Sequence, residues 1–292
     1  MSNFFQCLRC SFKRSALIAL AFIALGARID YPQAASANHV IDNPTYSAKM
    51  ELSDYNLLFT RVKIDDRDAL ALIDSGSFRA VQLSSTLAQE IKLALTETGK
   101  VAKRHEGKEI YLRSGHIDSL AVGDYTRRDV SIEVIEGDIE NISSQVKTKF
   151  DVILGWGFLS QFHALLNYKE LSMKFGAKLL ITDANALRLN YSVVNGVPVV
   201  KAKVNNEEVS LLFDTGAPMC NLDISSAQAS AGAKVSRDVL IADRRLAMEF
   251  RAKDLSVIRK SLGCVGVIGN DFLSHYVVCF DPGDKVIRLS GE

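Results

Sequence analysis

The stretch Leu57 to Gly76 reads LLFTRVKIDDRDALALIDSG, and the stretch Val197 to Gly216 reads VPVVKAKVNNEEVSLLFDTG. The two align without a gap at a constant offset of 140 residues. Each contains an apolar alternating strand, a polar turn and a second apolar strand that runs into Asp-Ser/Thr-Gly. The pattern therefore predicts a β-hairpin that ends in an acidic turn, twice in one chain.

The repeat resumes further along the chain, at an offset of 114 residues. Asp151 to Phe175 reads DVILGWGFLSQFHALLNYKELSMKF, and Val265 to Leu289 reads VGVIGNDFLSHYVVCFDPGDKVIRL. Each has an apolar strand ending in glycine, a short helix carrying Phe-Leu-Ser, and two further strands around a polar turn. Because both blocks recur in the same order, we interpret the chain as two copies of one mainly β unit.

The repeat predicts the division of the chain. We expect mostly short strands, with one or two short helices in each copy, at 84–95 in the first and 225–233 in the second. The predicted segments are a signal peptide (1–37), a lead-in (38–49), an N-terminal lobe (50–181), a linker (182–190) and a C-terminal lobe (191–292).

Composition and the N-terminal segment indicate an exported globular protein. The chain is 48% hydrophobic and 24% charged, and its net charge of +1 gives no indication of a nucleic-acid partner. Arg9, Lys13 and Arg14 precede an apolar run and then Ala35-Ser36-Ala37, which is the layout of a secretory signal peptide. We expect a periplasmic or secreted protein, with an uncleaved signal that tethers it to the inner membrane as the alternative.

Cysteine and histidine patterns predict neither a metal nor a cofactor. The five histidines show no metal-ligand spacing, and no phosphate-binding loop is present. Cys220, Cys264 and Cys279 follow the signal segment, so at least one of these three thiols is unpaired within the chain. A bridge between Cys264 and Cys279 is open at this stage, because the expected compartment is oxidising.

Asp74 and Asp214 are the candidate catalytic residues, because they occupy equivalent places in the duplicated unit. Two carboxylates within a few ångströms cannot both ionise easily, so the pair holds one proton. Such a pair offers an acid and a base side by side, which suits the activation of a water molecule. Gly76 and Gly216 permit a tight turn and a close approach between the two loops.

The motifs resemble those of the pepsin and retropepsin group of aspartic peptidases. Ile153-Leu154-Gly155 and Ile268-Gly269-Asn270 match its second hydrophobic-glycine element, and the following Phe-Leu is typical of bacterial retropepsin-like members. The resemblance implies a bilobal pepsin-like architecture of two retropepsin-like β-barrels, and an endopeptidase that binds polypeptide as a monomer. It also implies substrate-binding roles for the residues around the dyad: Ser75, Gly76, Ser77, Thr215, Gly216 and Ala217.

The same resemblance implies a hairpin flap over the substrate. Residues 100–112 read KVAKRHEGKEIYL, two strand-like halves around a turn at Glu106 and Gly107. Glu106, Gly107 and Tyr111 on this hairpin are candidate substrate-binding residues, and for Tyr111 packing on the sheet is the alternative. The second copy is shorter in the equivalent region and is predicted to lack a flap.

One difference between the copies concerns the residue after each glycine. Ser77 follows the first Asp-Ser-Gly, whereas Ala217 follows the second Asp-Thr-Gly. A hydroxyl at this place is expected to hydrogen-bond the carboxylate and to favour its charged form. Because Ala217 lacks it, we predict a dyad that works nearer neutral pH than that of a gastric enzyme.

Two other functions stay open from the sequence. A catalytically silent peptide-binding protein would use the same cleft, and a β-rich structural protein of the cell envelope would contain the two Asp-Ser/Thr-Gly turns by coincidence. Inhibition by a statine-type mimic of the tetrahedral intermediate distinguishes the peptidase from both, because such mimics bind an intact dyad.

Overall fold

The computed structural model describes residues 45–103, 109–179 and 183–291. The predicted signal peptide and the Glu106–Gly107 turn lie outside these residues. The fold is mainly β, and it contains a closed six-stranded β-barrel. The mainly β class predicted from the sequence is therefore confirmed.

In the N-terminal half, the described residues 45–103 and 109–176 form ten strands and three short helices. In chain order they are β1 (Thr45–Leu52), β2 (Leu58–Ile64), β3 (Arg67–Asp74), β4 (Val81–Leu83), α1 (Ser85–Glu90), β5 (Thr96–Lys103), β6 (Glu109–Val122), β7 (Tyr125–Ile135), α2 (Asp138–Val146), β8 (Val152–Gly155), α3 (Trp156–Leu159), β9 (His163–Asn167) and β10 (Ser172–Gly176).

Six of these strands close into a ring in the order β2, β3, β8, β4, β7, β6 and back to β2. The β3–β8 and β4–β7 pairs are parallel, and the other four are antiparallel. The ring has no free edge among its six strands, and its interior is filled by alternating apolar side chains. β5 lies outside the ring and forms a hairpin with β6.

The C-terminal half, residues 187–290, contains nine strands and three short helices. They are β11 (Leu187–Val194), β12 (Val197–Val204), β13 (Glu207–Phe213), β14 (Asn221–Asp223), α4 (Ile224–Ala227), β15 (Lys234–Ile241), β16 (Arg244–Lys253), α5 (Ser256–Leu262), β17 (Gly266–Ile268), α6 (Asn270–Leu273), β18 (Val277–Asp281) and β19 (Val286–Ser290). Strands β12, β13, β17, β14, β16 and β15 are also paired in a closed cycle.

A third set of strands joins the two halves. β1, β10, β9, β18, β19 and β11 form one antiparallel sheet in that order. The junction is the β9–β18 pair, in which Leu166 lies opposite Val278. Because β1 and β11 also pair with the first barrel strand of their own half, this sheet is continuous with both closed cycles.

The turns of the two quoted hairpins adopt the backbone that their residues favour. Asp65 and Asp66 have φ of 47° and 69°, and Asn205 and Asn206 have φ of 52° and 67°. Two successive left-handed residues match the twist of the flanking strands, and Asp and Asn tolerate this conformation better than most residues. Local chemistry thus explains why both hairpins turn where the sequence predicts.

The helices differ from the sequence predictions. The helix predicted at 84–95 ends at Glu90, although Ser84 caps it as expected by accepting a hydrogen bond from the Leu87 amide at 3.0 Å. The helix predicted at 225–233 is α4, which Asp223 caps and which ends before Gln228. Left-handed residues stop both helices: Lys92 at φ 53° and Gln228 at φ 49°.

Two helices were not predicted at all, and each half has three rather than one or two. α2 covers an apolar cluster on the outer side of the first barrel through Ile139, Ile142 and Val146. α5 covers the equivalent side of the second barrel through Ile258 and Leu262. The spacing of the buried α2 residues fits a helix, so this signal was present in the sequence.

The predicted connecting segments are partly strand. β1 begins at Thr45, inside the predicted lead-in, and β11 begins at Leu187, inside the predicted linker. Both segments supply outer strands of the sheet that joins the halves. Backbone pairing in that sheet makes them strands, although their polar residues suggested connecting segments. Among the described residues, no helix is long and apolar enough to cross a membrane.

Candidate active site

Two buried strands deliver the candidate carboxylates to the same place. β3 ends at Asp74, and its last four residues are buried against β8, with Asp74 opposite Gly155. β13 ends at Phe213, one residue before Asp214, and Phe213 lies opposite Ile268 of β17. The apolar run before each aspartate anchors the strand, so the acidic side chain is held at the strand end.

Each carboxylate accepts backbone N–H groups of its own turn. Asp74 Oδ1 accepts from the Gly76 amide at 2.9 Å and from the Ser77 amide at 3.1 Å. Asp214 Oδ1 accepts from the Gly216 amide at 2.8 Å. Such bonds stabilise the charged form and fix the direction of each side chain.

The two glycines leave the space that the opposite carboxylate needs. A Cβ atom on Gly76 would lie 2.5 Å from Asp214 Cγ, and a Cβ atom on Gly216 would approach Asp74 Cγ just as closely. Real Cβ atoms do not come so near to a carbon atom of another residue. The pair of loops therefore requires glycine at both positions.

Ser75 and Thr215 lock the two loops together through four hydrogen bonds. The Ser75 amide donates to Thr215 Oγ1 at 2.9 Å, and the Thr215 amide donates to Ser75 Oγ at 3.0 Å. Each hydroxyl then donates across to the other half, Ser75 Oγ to the Phe213 carbonyl and Thr215 Oγ1 to the Ile73 carbonyl, both at 2.9 Å. All four groups are buried, so the bonds hold the two aspartates at a constant separation.

The proximity of the carboxylates changes their acidity. Burial raises the pKa of Asp74 well above its usual range, and the charge of Asp214 raises it further. Burial also raises the pKa of Asp214, while the amides of Gly216 and Gly76 oppose this effect. A pair with one strongly raised pKa holds a proton where an isolated aspartate would be ionised.

The expected hydrogen bond from the Ser77 hydroxyl is not formed. Ser77 contacts Asp74 through its backbone amide, and its Oγ atom is buried with no hydrogen-bond partner among the described residues. The Ala217 amide contributes a bond to Asp214 in the same way. The predicted chemical difference between Ser77 and Ala217 is therefore wrong, because the contact in both loops comes from the backbone.

The hairpin predicted as a flap is present as β5 and β6, with Val101 opposite Tyr111. Tyr111 is 44% exposed, so its ring is not fully buried. In the closed cycle of the C-terminal half, β15 and β16 take the places of β6 and β7, and the chain passes from α4 to β15 in six residues. Within residues 183–291 no strand corresponds to β5.

Sequence reasoning missed two residues next to the dyad. Asn270, at the start of α6, donates from Nδ2 to the Thr215 carbonyl at 2.7 Å. The Tyr168 hydroxyl, from the turn between β9 and β10, donates to Asn270 Oδ1 at 2.7 Å. Both side chains are buried. The only signal in the sequence was the position of Asn270 directly after the second apolar-Gly element.

Lys253 is a further group that sequence reasoning missed. It lies at the end of β16, is half-buried, and interacts electrostatically with Asp214. Burial lowers its pKa, and the charge of Asp214 opposes that shift.

The remaining cysteines and histidines do not form a second site within the described residues. Cys220, Cys264 and Cys279 are all buried free thiols, so the bridge left open between Cys264 and Cys279 is absent. Burial raises the pKa of Cys264 to about 12 and that of Cys279 to about 11. In the described ranges, no cluster of three or more metal-ligating side chains occurs.

Part of the N-terminal half matches a known protein family. Residues 60–158 match the family model for aspartyl protease. The matched segment begins in β2, contains Asp74-Ser75-Gly76 and Ile153-Leu154-Gly155, and ends in α3. It covers about one third of the chain and does not include Asp214. A comparison with curated proteins gave no match.

The match of residues 60–158 to the aspartyl protease family model supports a peptidase activity in general. The closed six-stranded barrel is consistent with a retropepsin-like fold. The family match thus supports the resemblance to aspartic peptidases that was seen in the sequence.

Proposed function

We propose that this protein is an aspartic endopeptidase in which Asp74 and Asp214 activate one water molecule between them. The observation that carries the proposal is the reciprocal hydrogen bonding of Ser75 and Thr215, which brings both aspartates to one centre. A match to an aspartyl protease family model over the Asp74 half supports the same reaction class.

The mechanism assigns one role to each carboxylate. We assign the shared proton to Asp74, whose pKa is raised both by burial and by the charge of Asp214, and the negative charge to Asp214, whose Oδ1 accepts the Gly216 amide. The Asp214 carboxylate takes a proton from water as the water oxygen bonds to the peptide carbonyl carbon, and Asp74 donates its proton to the carbonyl oxygen. The carbon–nitrogen bond then breaks as Asp214 gives its proton to the leaving amine. Asp74 takes a proton back from a hydroxyl of the tetrahedral intermediate, which becomes the new carboxyl group.

We further propose that the two halves are copies of one unit, which gives the bilobal pepsin-like architecture. Support comes from the identical order of strand pairing in the two closed cycles. In each, the strand that precedes the aspartate pairs in parallel with the strand that ends in the second glycine element. The Asp74 and Asp214 turns then arise from one ancestral turn and face each other across the junction.

The β5–β6 hairpin is the proposed flap, and it belongs to the N-terminal lobe alone. Ser75, Gly76, Ser77, Thr215, Gly216 and Ala217 are the proposed substrate-binding residues beside the dyad, with Tyr111 on the hairpin. The proposed partner is an extended polypeptide, bound by a monomer in the periplasm or outside the cell. These proposals rest on the family resemblance and on the N-terminal signal pattern.

We also propose a working pH nearer neutral than that of a gastric enzyme, for a different reason from the one drawn from the sequence. Burial raises the pKa of both aspartates. A dyad with raised pKa values loses its shared proton only at higher pH, so the enzyme stays active to a higher pH. A rate maximum near pH 2 would contradict this proposal.

The function is tested by incubating the mature protein with a mixed peptide library from pH 3 to 7.5. Asp74→Asn and Asp214→Asn are the test variants, and Asp68→Asn, an exposed aspartate earlier on β3, is the matched control. We expect cleavage by the native protein and by Asp68→Asn, and none by the two dyad variants. Cleavage that persists in Asp74→Asn would exclude the two-carboxylate mechanism, and binding of peptides without any cleavage would favour a silent peptide-binding protein.

A further inference from the structure

A continuous series of hydrogen bonds leads from the sheet that joins the two halves to Asp214. The Tyr168 hydroxyl donates to Asn270 Oδ1 at 2.7 Å, and Asn270 Nδ2 donates to the Thr215 carbonyl at 2.7 Å. The Gly216 amide then donates to Asp214 Oδ1 at 2.8 Å. The Thr215 carbonyl and the Gly216 N–H are the two ends of one peptide unit, so the series has no gap.

The orientation of each group follows from what it can donate or accept. A backbone carbonyl only accepts, so the Asn270 atom that faces Thr215 must be the NH₂ group. The Asn270 oxygen then faces Tyr168, which must donate. Burial raises the pKa of the Tyr168 phenol far above its usual range, and the charge of Asp214 raises it further, so the phenol stays protonated.

All the bonds polarise one another in the same direction. A hydrogen bond received by an amide oxygen makes the N–H groups of the same amide stronger donors. Tyr168 therefore strengthens the bond from Asn270, and Asn270 strengthens the bond from the Thr215–Gly216 peptide to Asp214. The end of the series is a carboxylate oxygen, so the whole effect stabilises negative charge there.

The equivalent place in the N-terminal half is built differently. Trp156 stands after Gly155 where Asn270 stands after Gly269. Its backbone amide makes the same bond, to the Ser77 carbonyl, as Asn270 makes to the Ala217 carbonyl. Its side chain instead packs edge-on against Tyr191 and Phe280 of the C-terminal half. An indole in this orientation offers no amide to the loop of Asp74.

We propose that Tyr168 and Asn270 are positioning residues that favour negative charge on Asp214 through the Thr215–Gly216 peptide, and so leave the shared proton on Asp74. The inference rests on the proposed function, because only a two-carboxylate reaction uses this difference. The titratable groups that interact electrostatically with Asp214 are Asp74, Lys253 and the neutral phenol of Tyr168. Of these, Tyr168 is the one that donates into the hydrogen-bond series through Asn270.

Tyr168→Phe tests the proposal, because it removes one hydroxyl and keeps the ring. Tyr191→Phe is the matched control: it removes another buried phenol, packed against Trp156, that is outside the hydrogen-bond series leading to Asp214. Equal unfolding midpoints for the two variants show that both fold. The first readout is the acid limb of kcat/KM against pH, where Asp214 must lose its proton.

For Tyr168→Phe we expect this limb to move to higher pH by roughly half a unit, which lowers kcat/KM about threefold on the acid side. The pH-independent plateau of kcat/KM and the value of KM should change by less than threefold. The pH profile of Tyr191→Phe should match that of the wild type. A purely structural role would lower activity by one factor at every pH and leave the limb in place, and that result would overturn the proposal.

A second readout does not depend on peptidase activity. The carboxyl ¹³C resonance of Asp214, assigned by its loss in Asp214→Asn, reports protonation of the dyad directly. Its titration should move upward in Tyr168→Phe and also in Asn270→Leu, which breaks the series one bond nearer to Asp214. If the wild type cleaves no peptide, the proposed function fails, but this titration still tests the role of Tyr168 and Asn270. An unchanged titration in both variants would contradict that role.

Discussion

At the scale of single residues, the buried carboxylates link acidity to stability. The pKa of Asp74 is raised in the folded chain, whereas an unfolded chain releases this proton near the ordinary value of about 3.9. Between those two values the folded state binds more protons than the unfolded state. The contribution of Asp74 to stability is therefore present at low pH and is lost as pH rises through its folded-state pKa.

Asp74→Asn removes this pH-dependent loss. We expect the free energy of unfolding of the variant, minus that of the wild type, to grow as pH rises from about 4 to 7, by about 1.4 kcal/mol for each unit by which the pKa is raised. Urea unfolding at several pH values measures the difference, with Asp68→Asn as the exposed control on the same strand. A difference that stays constant or falls with pH would contradict the prediction.

Gly76 is the second residue whose replacement has a defined result. Gly76→Ala places a methyl group against Asp214, so the two loops must separate. We expect a loss of stability of about 1–3 kcal/mol and at least a hundredfold loss of peptide cleavage, since proton sharing depends on the separation of the carboxylates. Gly283→Ala is the control, because its new methyl group would lie 3.7 Å from the nearest atom. Full activity in Gly76→Ala would show that the loops tolerate a wider separation.

At the scale of secondary structure elements, the caps of α1 and α4 form a matched pair. Ser84 caps α1 and Asp223 caps α4, and the strand before each cap pairs with equivalent neighbours. Ser84 Oγ also donates to Asp151 at 3.0 Å, so one hydroxyl connects the helix, the start of β8 and the barrel. The cap thus contributes to tertiary as well as local structure.

Ser84→Ala should cost about 1–2 kcal/mol in the free energy of unfolding, because the first turn of α1 loses its acceptor and Asp151 loses a donor. The control is Ser226→Ala, in the interior of α4, which should change the same quantity by less than about 0.5 kcal/mol. Thermal or urea unfolding compares the two variants. Equal effects would mean that the cap does not determine the stability of this region.

At the scale of the whole molecule, the main connection between the two halves is the sheet that joins them. β9 and β18 pair across the junction, and Trp156 of one half packs against Tyr191 and Phe280 of the other. The hydrogen bonds between Ser75 and Thr215 form a further connection. Neither half can unfold alone without exposing a buried face and breaking these bonds.

We therefore expect one cooperative unfolding transition for the whole folded region. Trp156 is the single tryptophan of the chain, so its fluorescence reports on the junction, while far-ultraviolet circular dichroism reports on all strands. The two signals should give the same urea midpoint and the same slope. Separate midpoints would show that the halves unfold independently.

The sequence alone determined the hairpins, the acidic turns and the mainly β class. These features depend on short-range chemistry: strand alternation, left-handed Asp and Asn residues in tight turns, and glycine after each acidic residue. The ends of α1 and α4 were misjudged because propensity continues past Lys92 and Gln228, where the tertiary structure requires a left-handed residue.

Only the tertiary structure decided what surrounds the carboxylates. Tyr168 and Asn270 are 102 residues apart, and their contact depends on how the joining sheet brings β9 and α6 together. The Ser77 hydroxyl has no hydrogen-bond partner in the described part of the chain, although its position beside Asp74 suggested a bond. Residue types predict which groups can form hydrogen bonds, whereas the crossing of distant strands determines which groups actually meet.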